Sequence, residues 1–249
     1  MLKPDEILVF ILAAGRGTRL GSLTADRPKA LVEVNGIPLL QRVIKKIQQE
    51  GFTNCVINVH HFSAQIIDFL KQHRNFNLNI IISDETDQLM DTGGALLKAL
   101  PLMQSFEHIL IHNVDILSDS PLLDFCRHAA TLELDASLMV QQRESSRKLL
   151  FDASMNLCGW HHLEKNERKL LSIHCKPEIE LAFNGIHYLR KRLLLDFPVQ
   201  KTAMIDLYLQ AAETYMIKGN LQQGRYWFDL GKEAEIDYIE QELRTLGID

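Results

Sequence analysis

The sequence predicts an α/β fold, a three-layer α/β/α sandwich with helices on both faces of a mainly parallel but mixed sheet. Two observations predict it. In the first half, short β-like runs alternate with helical patterns, and such alternation implies parallel strands joined by helical crossovers. After Ala136 the strand-like runs are separated by charged stretches instead, which reads as an extension of the sheet and a wall along one side of it.

The elements follow in order. Strands are expected over residues 7–13, 55–59, 78–82 and 108–112. Between the first two, Pro38 opens a helix whose apolar residues Leu39, Leu40, Val43, Ile44 and Ile47 recur at helical spacing, and Gly51 stands where it would stop. Ser63 is placed to cap a second helix carrying Ile66, Ile67, Phe69 and Leu70. A third runs from about Thr92, with Asp91 or Thr92 as cap, to Leu100 and is ended by Pro101; a fourth follows Pro121. Further strands are expected over 137–140, 149–152, 170–174 and 183–189. The chain closes with a helix over 203–212, a strand over 225–229 and a helix over 233–246. There is no internal repeat, low-complexity tract or linker, and 249 residues suffice for one sizeable core, so a single domain over 1–249 is expected.

Composition narrows the function. A net charge of −5 gives no basic footprint for nucleic acid or an anionic membrane surface, so any phosphate binding must be local. The apolar run over 7–14 is too short to span a bilayer and follows Asp5 and Glu6 rather than a cationic flank. Cys55, Cys126, Cys158 and Cys175 are scattered without a C-x-x-C pair, so neither a zinc site nor a disulfide framework is expected, and a cytoplasmic location is the simplest. The pairs His60-His61 and His161-His162 lack a third ligand, and adjacent side chains of a strand point apart. Asp84, Glu85 and Asp87 read as a solvated acidic loop.

The chemistry concentrates in the string Leu12, Ala13, Ala14, Gly15, Arg16, Gly17, Thr18, Arg19 and Leu20, directly after the first strand, with Arg27, Pro28 and Lys29 following. Glycines at a strand's carboxyl end let backbone N–H groups approach a phosphate, and nearby cations supply opposing charge. The string is neither G-x-x-x-x-G-K-[ST] nor G-x-G-x-x-G, because Leu20 follows Arg19 and the next glycine is Gly21. That argues against a dinucleotide-binding dehydrogenase.

Taken with Pro28-Lys29-Ala30-Leu31 and with Asn35, Gly36, Pro38, Leu39 and Leu40, the string resembles the signature of the sugar-1-phosphate nucleotidylyltransferases. The resemblance implies their Rossmann-like nucleotide-diphospho-sugar transferase fold, a loop that wraps the triphosphate, Lys29 on the phosphates and Arg19 on the pyrophosphate leaving group. It runs on through most of the chain. Asp91, Thr92, Gly93, Gly94 and Ala95 look like the nucleobase and ribose segment. Asn113 and Asp115 end the fourth strand, where ligands of open α/β sheets bind; Asp115 would be a Mg²⁺ ligand, although Val114 stands where the family usually has glycine. Asp229, in Trp227-Phe228-Asp229-Leu230-Gly231, resembles the second metal carboxylate, although Lys232 replaces the usual threonine. Cys175-Lys176-Pro177 and Phe183-Asn184-Gly185-Ile186 are similar to the segments that hold the sugar phosphate and sugar hydroxyls, while Asn184-Gly185 alone would read as a hairpin turn.

By this resemblance residues 1–115 form a nucleotide-binding half and 116–249 a sugar-phosphate-binding half of a Mg²⁺-dependent nucleotidyltransferase. Catalysis would rest on Arg19, Lys29 and Asp115, with positioning and electrostatics supplying the rate. The short length and the His60-His61-Phe62 context look most like compact bacterial enzymes of the N-acetylmuramate-1-phosphate uridylyltransferase type, using UTP and that or another hexose 1-phosphate for cell-wall or surface-polysaccharide precursors. Mannose- or heptose-1-phosphate guanylyltransferases and phosphocholine cytidylyltransferases are the alternatives, and a non-catalytic nucleotide-sugar-binding subunit is the alternative from another class. The expected partners are the two small substrates, with no nucleic acid or membrane, in a monomer or homodimer.

Overall fold

The structure, a computed structural model, describes residues 1–171 and 175–248. In chain order its elements are β1 (Ile7–Leu12), β2 (Glu33–Val34), β3 (Ile37–Pro38), α1 (Leu39–Gln49), β4 (Asn54–Val59), α2 (Ser63–Gln72), β5 (Asn79–Asp84), α3 (Asp91–Ala99), β6 (His108–Asn113) and β7 (Ile116–Ser118). There follow α4 (Leu122–Thr131), β8 (Ala136–Gln141), β9 (Arg147–Phe151), β10 (Leu157–His162), β11 (Glu167–Leu170), β12 (Ile179–Arg190), α5 (Met204–Ala211), β13 (Ile217–Leu221), β14 (Trp227–Asp229) and α6 (Ile236–Thr245).

β5, β4, β1 and β6 lie side by side and parallel, β12 runs antiparallel to β6, and β9, β10 and β11 continue outward as an antiparallel wall. β8 pairs with β12 antiparallel and with β13 parallel, so the sheet is mixed, as expected. β1 reads as one unbroken apolar run because both of its faces are covered. Ile7, Val9 and Ile11 pack with Leu40, Val43 and Ile44 of α1 and with residues of α2, α4 and α6; Leu8 and Phe10 pack with Leu96 of α3 and Leu207 of α5 on the other face. The register sets Leu12 beside both Asn58 and Asn113, which aligns the carboxyl ends of three parallel strands along one edge.

Local departures from expectation have physical reasons. Ser63 is the first residue of α2 rather than its cap; Phe62, in the left-handed region, precedes it and no side chain caps the helix. Only Leu170 of the strand expected over 170–174 is in β11, and residues 172–174 lie outside the described ones. β10 and β13 were not foreseen, because both are short and interrupted by glycine. Cys158 and Cys175 are disulfide-bonded, against the expectation of four unconnected cysteines. β10 and β11 form an antiparallel pair, and the Leu171 N–H donates to the Cys158 carbonyl at 2.9 Å, so the chain returns on itself and the two Cα atoms stand 5.4 Å apart. No helix among the described residues is long and apolar enough to cross a membrane.

Two histidines are buried where β6 and β12 meet. The His112 Nδ1–H donates to the Asn113 carbonyl at 2.8 Å, and His187 is hydrogen-bonded to Tyr208. Burial pushes His112 down to about 4 and His187 to about 3 from the ordinary 6.5. Unfolded chains take up these protons as pH falls through 6.5, whereas the folded chain does not until about 4. Stability is therefore full above 6.5 and is lost as pH falls from 6.5 to about 4 for His112 and to about 3 for His187. Urea unfolding at a series of pH values should show a loss of a few kcal/mol across that window, with a visibly shallower fall in His112→Gln.

Candidate active site

At the edge where β1, β4 and β6 end, a cavity of about 330 Å³ opens. Open α/β sheets bind ligands at this edge because the strand ends leave backbone groups and loops free to converge there. Leu12, Ala14 and Gly15 of the first loop line it, with Lys29, Asn113, Val114 and Asp115.

A buried bridge shapes its floor. The Asn58 side-chain oxygen, at the end of β4, accepts the Ala13 N–H at 2.7 Å and the Ala14 N–H at 3.3 Å, while its amide donates to Glu85 at 2.7 Å. The other Glu85 oxygen accepts the Met90 N–H at 3.0 Å, one residue before the expected base segment. Glu85 is thus fully buried, which corrects its reading as part of a solvated loop; Asp84 and Asp87 beside it are exposed. Its burial is tolerable because both oxygens are hydrogen-bonded.

Beyond Ala14 the loop turns over Lys29. Gly17 sits at φ +65, and a β-carbon on it would stand 2.9 Å from Thr24 and 3.0 Å from Lys29, so only glycine fits there. Arg16, Thr18 and Arg19 are exposed on the turn. The Ser22 hydroxyl donates to Glu233 at 2.9 Å, tying the loop to the segment that follows Asp229.

Two carboxylates meet at the rim. Asp115 is ion-paired to the buried Lys29, and its backbone carbonyl accepts the Leu230 N–H at 2.9 Å. β14 pairs antiparallel with β7, with Asp229 opposite Ile116, so Asp229 is held beside Asp115. Burial and then the neighbouring Asp115 push the Asp229 carboxyl above its ordinary range, while Lys29, Arg19 and Arg143 oppose the shift. Asp229 Oδ1 is buried without a hydrogen-bond partner. An orphaned carboxylate oxygen next to a second carboxylate is a donor set that fits a hard divalent cation such as Mg²⁺. The Arg19 guanidinium packs over Gly231, where a β-carbon would stand 3.4 Å from it.

The other expected residues divide. Asp91 and Thr92 line the cavity. Gly93 and Gly94 are buried instead against the chain's own segment 200–203: both N–H groups donate to the Thr202 carbonyl, at 2.9 and 3.0 Å, and a β-carbon on Gly94 would lie 2.5 Å from the Gln200 carbonyl. Their small size therefore serves close chain packing. Asn184 and Gly185 lie within β12, not in a hairpin turn; Gly185, at φ +76, gives room to Asn113, whose amide nitrogen would be 2.8 Å from a β-carbon there. Lys176 is exposed, and the adjacent Cys175 lies beside Asp152, Tyr215 and Met216 at the start of β13, away from the edge marked by Asn113. Lys232 is paired with Glu235 at 3.0 Å. Asn58, Glu85, Lys201 and Arg143 were missed. A polar residue closing the apolar run of β4 was a signal for Asn58; the other three carried none.

The chain matches the family model described as "Nucleotidyl transferase" over residues 8–244. It is 28% identical to the N-acetylmuramate alpha-1-phosphate uridylyltransferase of Caulobacter vibrioides, over 90% of this chain and 91% of that protein. It is 27% identical to the mannose-1-phosphate guanyltransferase of Schizosaccharomyces pombe, over 92% of this chain and 62% of that one. The crystal structure of HddC from Yersinia pseudotuberculosis complexed with GMP-PN superposes with a TM-score of 0.75 at 20% identity, covering 95% of this chain and 99% of that one, a likeness of fold.

The buried bridge yields a direct test. Glu85→Ala leaves the Asn58 amide and the Met90 N–H unpaired and opens a void, so thermal or urea unfolding should report a loss of about 2–4 kcal/mol, whereas Thr86→Ala, on the exposed side of the same turn, should cost under about 0.5 kcal/mol.

Proposed function

The chain belongs to the nucleotidyl transferase family, and on that premise we propose that it transfers the nucleotidyl group of a nucleoside triphosphate to a sugar 1-phosphate, forming a nucleotide sugar and pyrophosphate. The observation that carries this reading is the pair Asp115 and Asp229, held together beside Lys29 and Arg19 at the mouth of the cavity. No general base is required, because a phosphate monoester is already an anion at neutral pH.

In the proposed reaction an oxygen of the sugar phosphate attacks the α-phosphorus in line. A new P–O bond forms as the bond from that phosphorus to the bridging oxygen breaks, and the electron pair leaves with pyrophosphate. Lys29, buried against the loop, neutralises charge on the α-phosphate; Arg19, exposed on the same loop, holds the departing pyrophosphate. The backbone around Gly15 receives the phosphates, with the loop's entry pinned by Asn58. Asp115 and Asp229 would hold Mg²⁺, which when bound supplies Lewis-acid neutralisation of phosphate oxygens. Asp91 and Thr92 border the nucleotide side, and Asn113, Asn184 and Gly185 the sugar side.

The preferred pair is UTP with an N-acetylmuramate 1-phosphate-like acceptor, supported by the near end-to-end match with a uridylyltransferase of similar length. Residues 1–115 and 116–249 act as the nucleotide and sugar-phosphate halves of one catalytic unit. The reading carries a cytoplasmic setting, where nucleoside triphosphates are available.

Pyrophosphate release should appear with UTP and N-acetylmuramate 1-phosphate, above the rates with GTP, CTP, dTTP or ATP. Lys29→Ala should lower kcat/KM by about 100-fold or more. Silence across all five nucleotides with sugar 1-phosphates and phosphocholine would overturn the reading; fastest release with GTP and mannose 1-phosphate would overturn the substrate pair alone.

A further inference from the structure

We infer that Arg143, rather than Lys176, holds the phosphate of the acceptor. The inference rests on the nucleotidyl-transfer reading for the identity of that acceptor, but its physical basis is independent of it.

Arg143 follows β8 and is fixed by three elements at once. Its guanidinium lies over the Trp227 ring, 4.3 Å from the centroid. One Nη donates to the Phe183 carbonyl of β12 at 2.9 Å and the other to the Glu144 carbonyl at 3.1 Å. Trp227 is itself anchored, its Nε1–H donating to the Asn184 carbonyl at 2.9 Å. Two of the five guanidinium N–H groups are thus spent on backbone, and the stack fixes the plane of the rest.

The charge of Arg143 is not matched by the protein at contact range. Among the described residues its contacts are with backbone carbonyls and the Trp227 ring rather than with a carboxylate, although Asp229, two residues from Trp227 on β14, is near enough to favour its charged form. Partial burial meanwhile works against that charge. Arg143, Asn184 and Asp229 each keep a buried polar atom without a protein partner: Nε, Oδ1 and Oδ1 respectively. A fixed cation without a carboxylate partner and a carboxylate with an unpartnered oxygen are the chemistry for an anion on the one and a cation on the other. A phosphate monoester dianion is the chemistry that fits.

The position agrees. Lys29 and Arg19 approach Asp229 from the loop, the side where pyrophosphate departs, whereas Arg143 approaches it from β8 and β12, which also carry Asn184. In-line displacement places the entering phosphate opposite the leaving one, so the two groups of cations flank the reacting phosphorus. Lys176 stays exposed near the far edge of the sheet.

Two readouts test this. In steady-state kinetics with the acceptor the wild type uses, Arg143→Ala should raise the acceptor KM at least tenfold while the nucleotide KM changes less than threefold. Arg143→Lys, which retains the charge without the fork, should recover part of the loss. In a Trp160→Phe background, inorganic phosphate should change the fluorescence of Trp227 saturably, and Arg143→Ala should weaken that binding at least tenfold, more than Lys176→Ala does. Unchanged acceptor KM and phosphate affinity in Arg143→Ala, or an equal or larger loss in Lys176→Ala, would overturn the inference. If the wild type turns over no nucleotide and sugar phosphate, the function is wrong, and the phosphate titration still decides the role of Arg143.

Discussion

The short pairing of β14 with β7 is the constraint on which the site depends. Through it the Leu230 N–H reaches the Asp115 carbonyl, and two carboxylates far apart in sequence are set side by side at a half-buried rim. Such a juxtaposition is unfavourable by itself: burial and like charge both oppose ionisation of Asp229. The surroundings answer with cations from three directions, Lys29 from below, Arg19 from the loop and Arg143 from the far wall. Among the described residues Lys29 closes a direct ion pair with Asp115 and none closes one with Asp229, which leaves part of the charge to be satisfied by what binds.

The remaining structure places that rim. Parallel β1, β4 and β6 end together because their apolar runs are covered on both faces, and the loop leaving β1 is pinned by Asn58 before it can reach solvent. Glu85 extends the same bridge to the start of α3, which ties the glycine loop to that helix. Segment 200–203 locks the other side by lying across Gly93 and Gly94, with Thr202 accepting both N–H groups.

Much of this was legible in the sequence where local chemistry is strong. The apolar runs of β1 and β6, the stripe of α1 and the glycine loop announce themselves, because periodicity and turn residues act over a few positions. Asp115 and Asp229 were legible through a motif, although the pairing that joins them was not. What escaped depends on distant neighbours. Glu85 looks solvated because its partners Asn58 and Met90 are known only once β4 and α3 are adjacent. Gly94 looks like a ligand contact because the segment that crowds it lies more than a hundred residues on. Lys176 carries the right neighbours in sequence, yet it is exposed and its neighbour Cys175 lies beside Tyr215 and Met216, away from the Asn113 edge. Arg143 belongs to no motif, and its significance comes from Trp227 beneath it and Asp229 beyond.

The central claim, that Asp115 and Asp229 together form a cation site, is tested most directly by thermal unfolding of the wild type and Asp229→Asn, in chelator and in about 10 mM Mg²⁺. Removing a crowded buried carboxylate should leave the variant at least as stable as the wild type in chelator, and Mg²⁺ should raise the Tm of the wild type alone. Equal rises in both proteins, or no rise in either, would contradict the account.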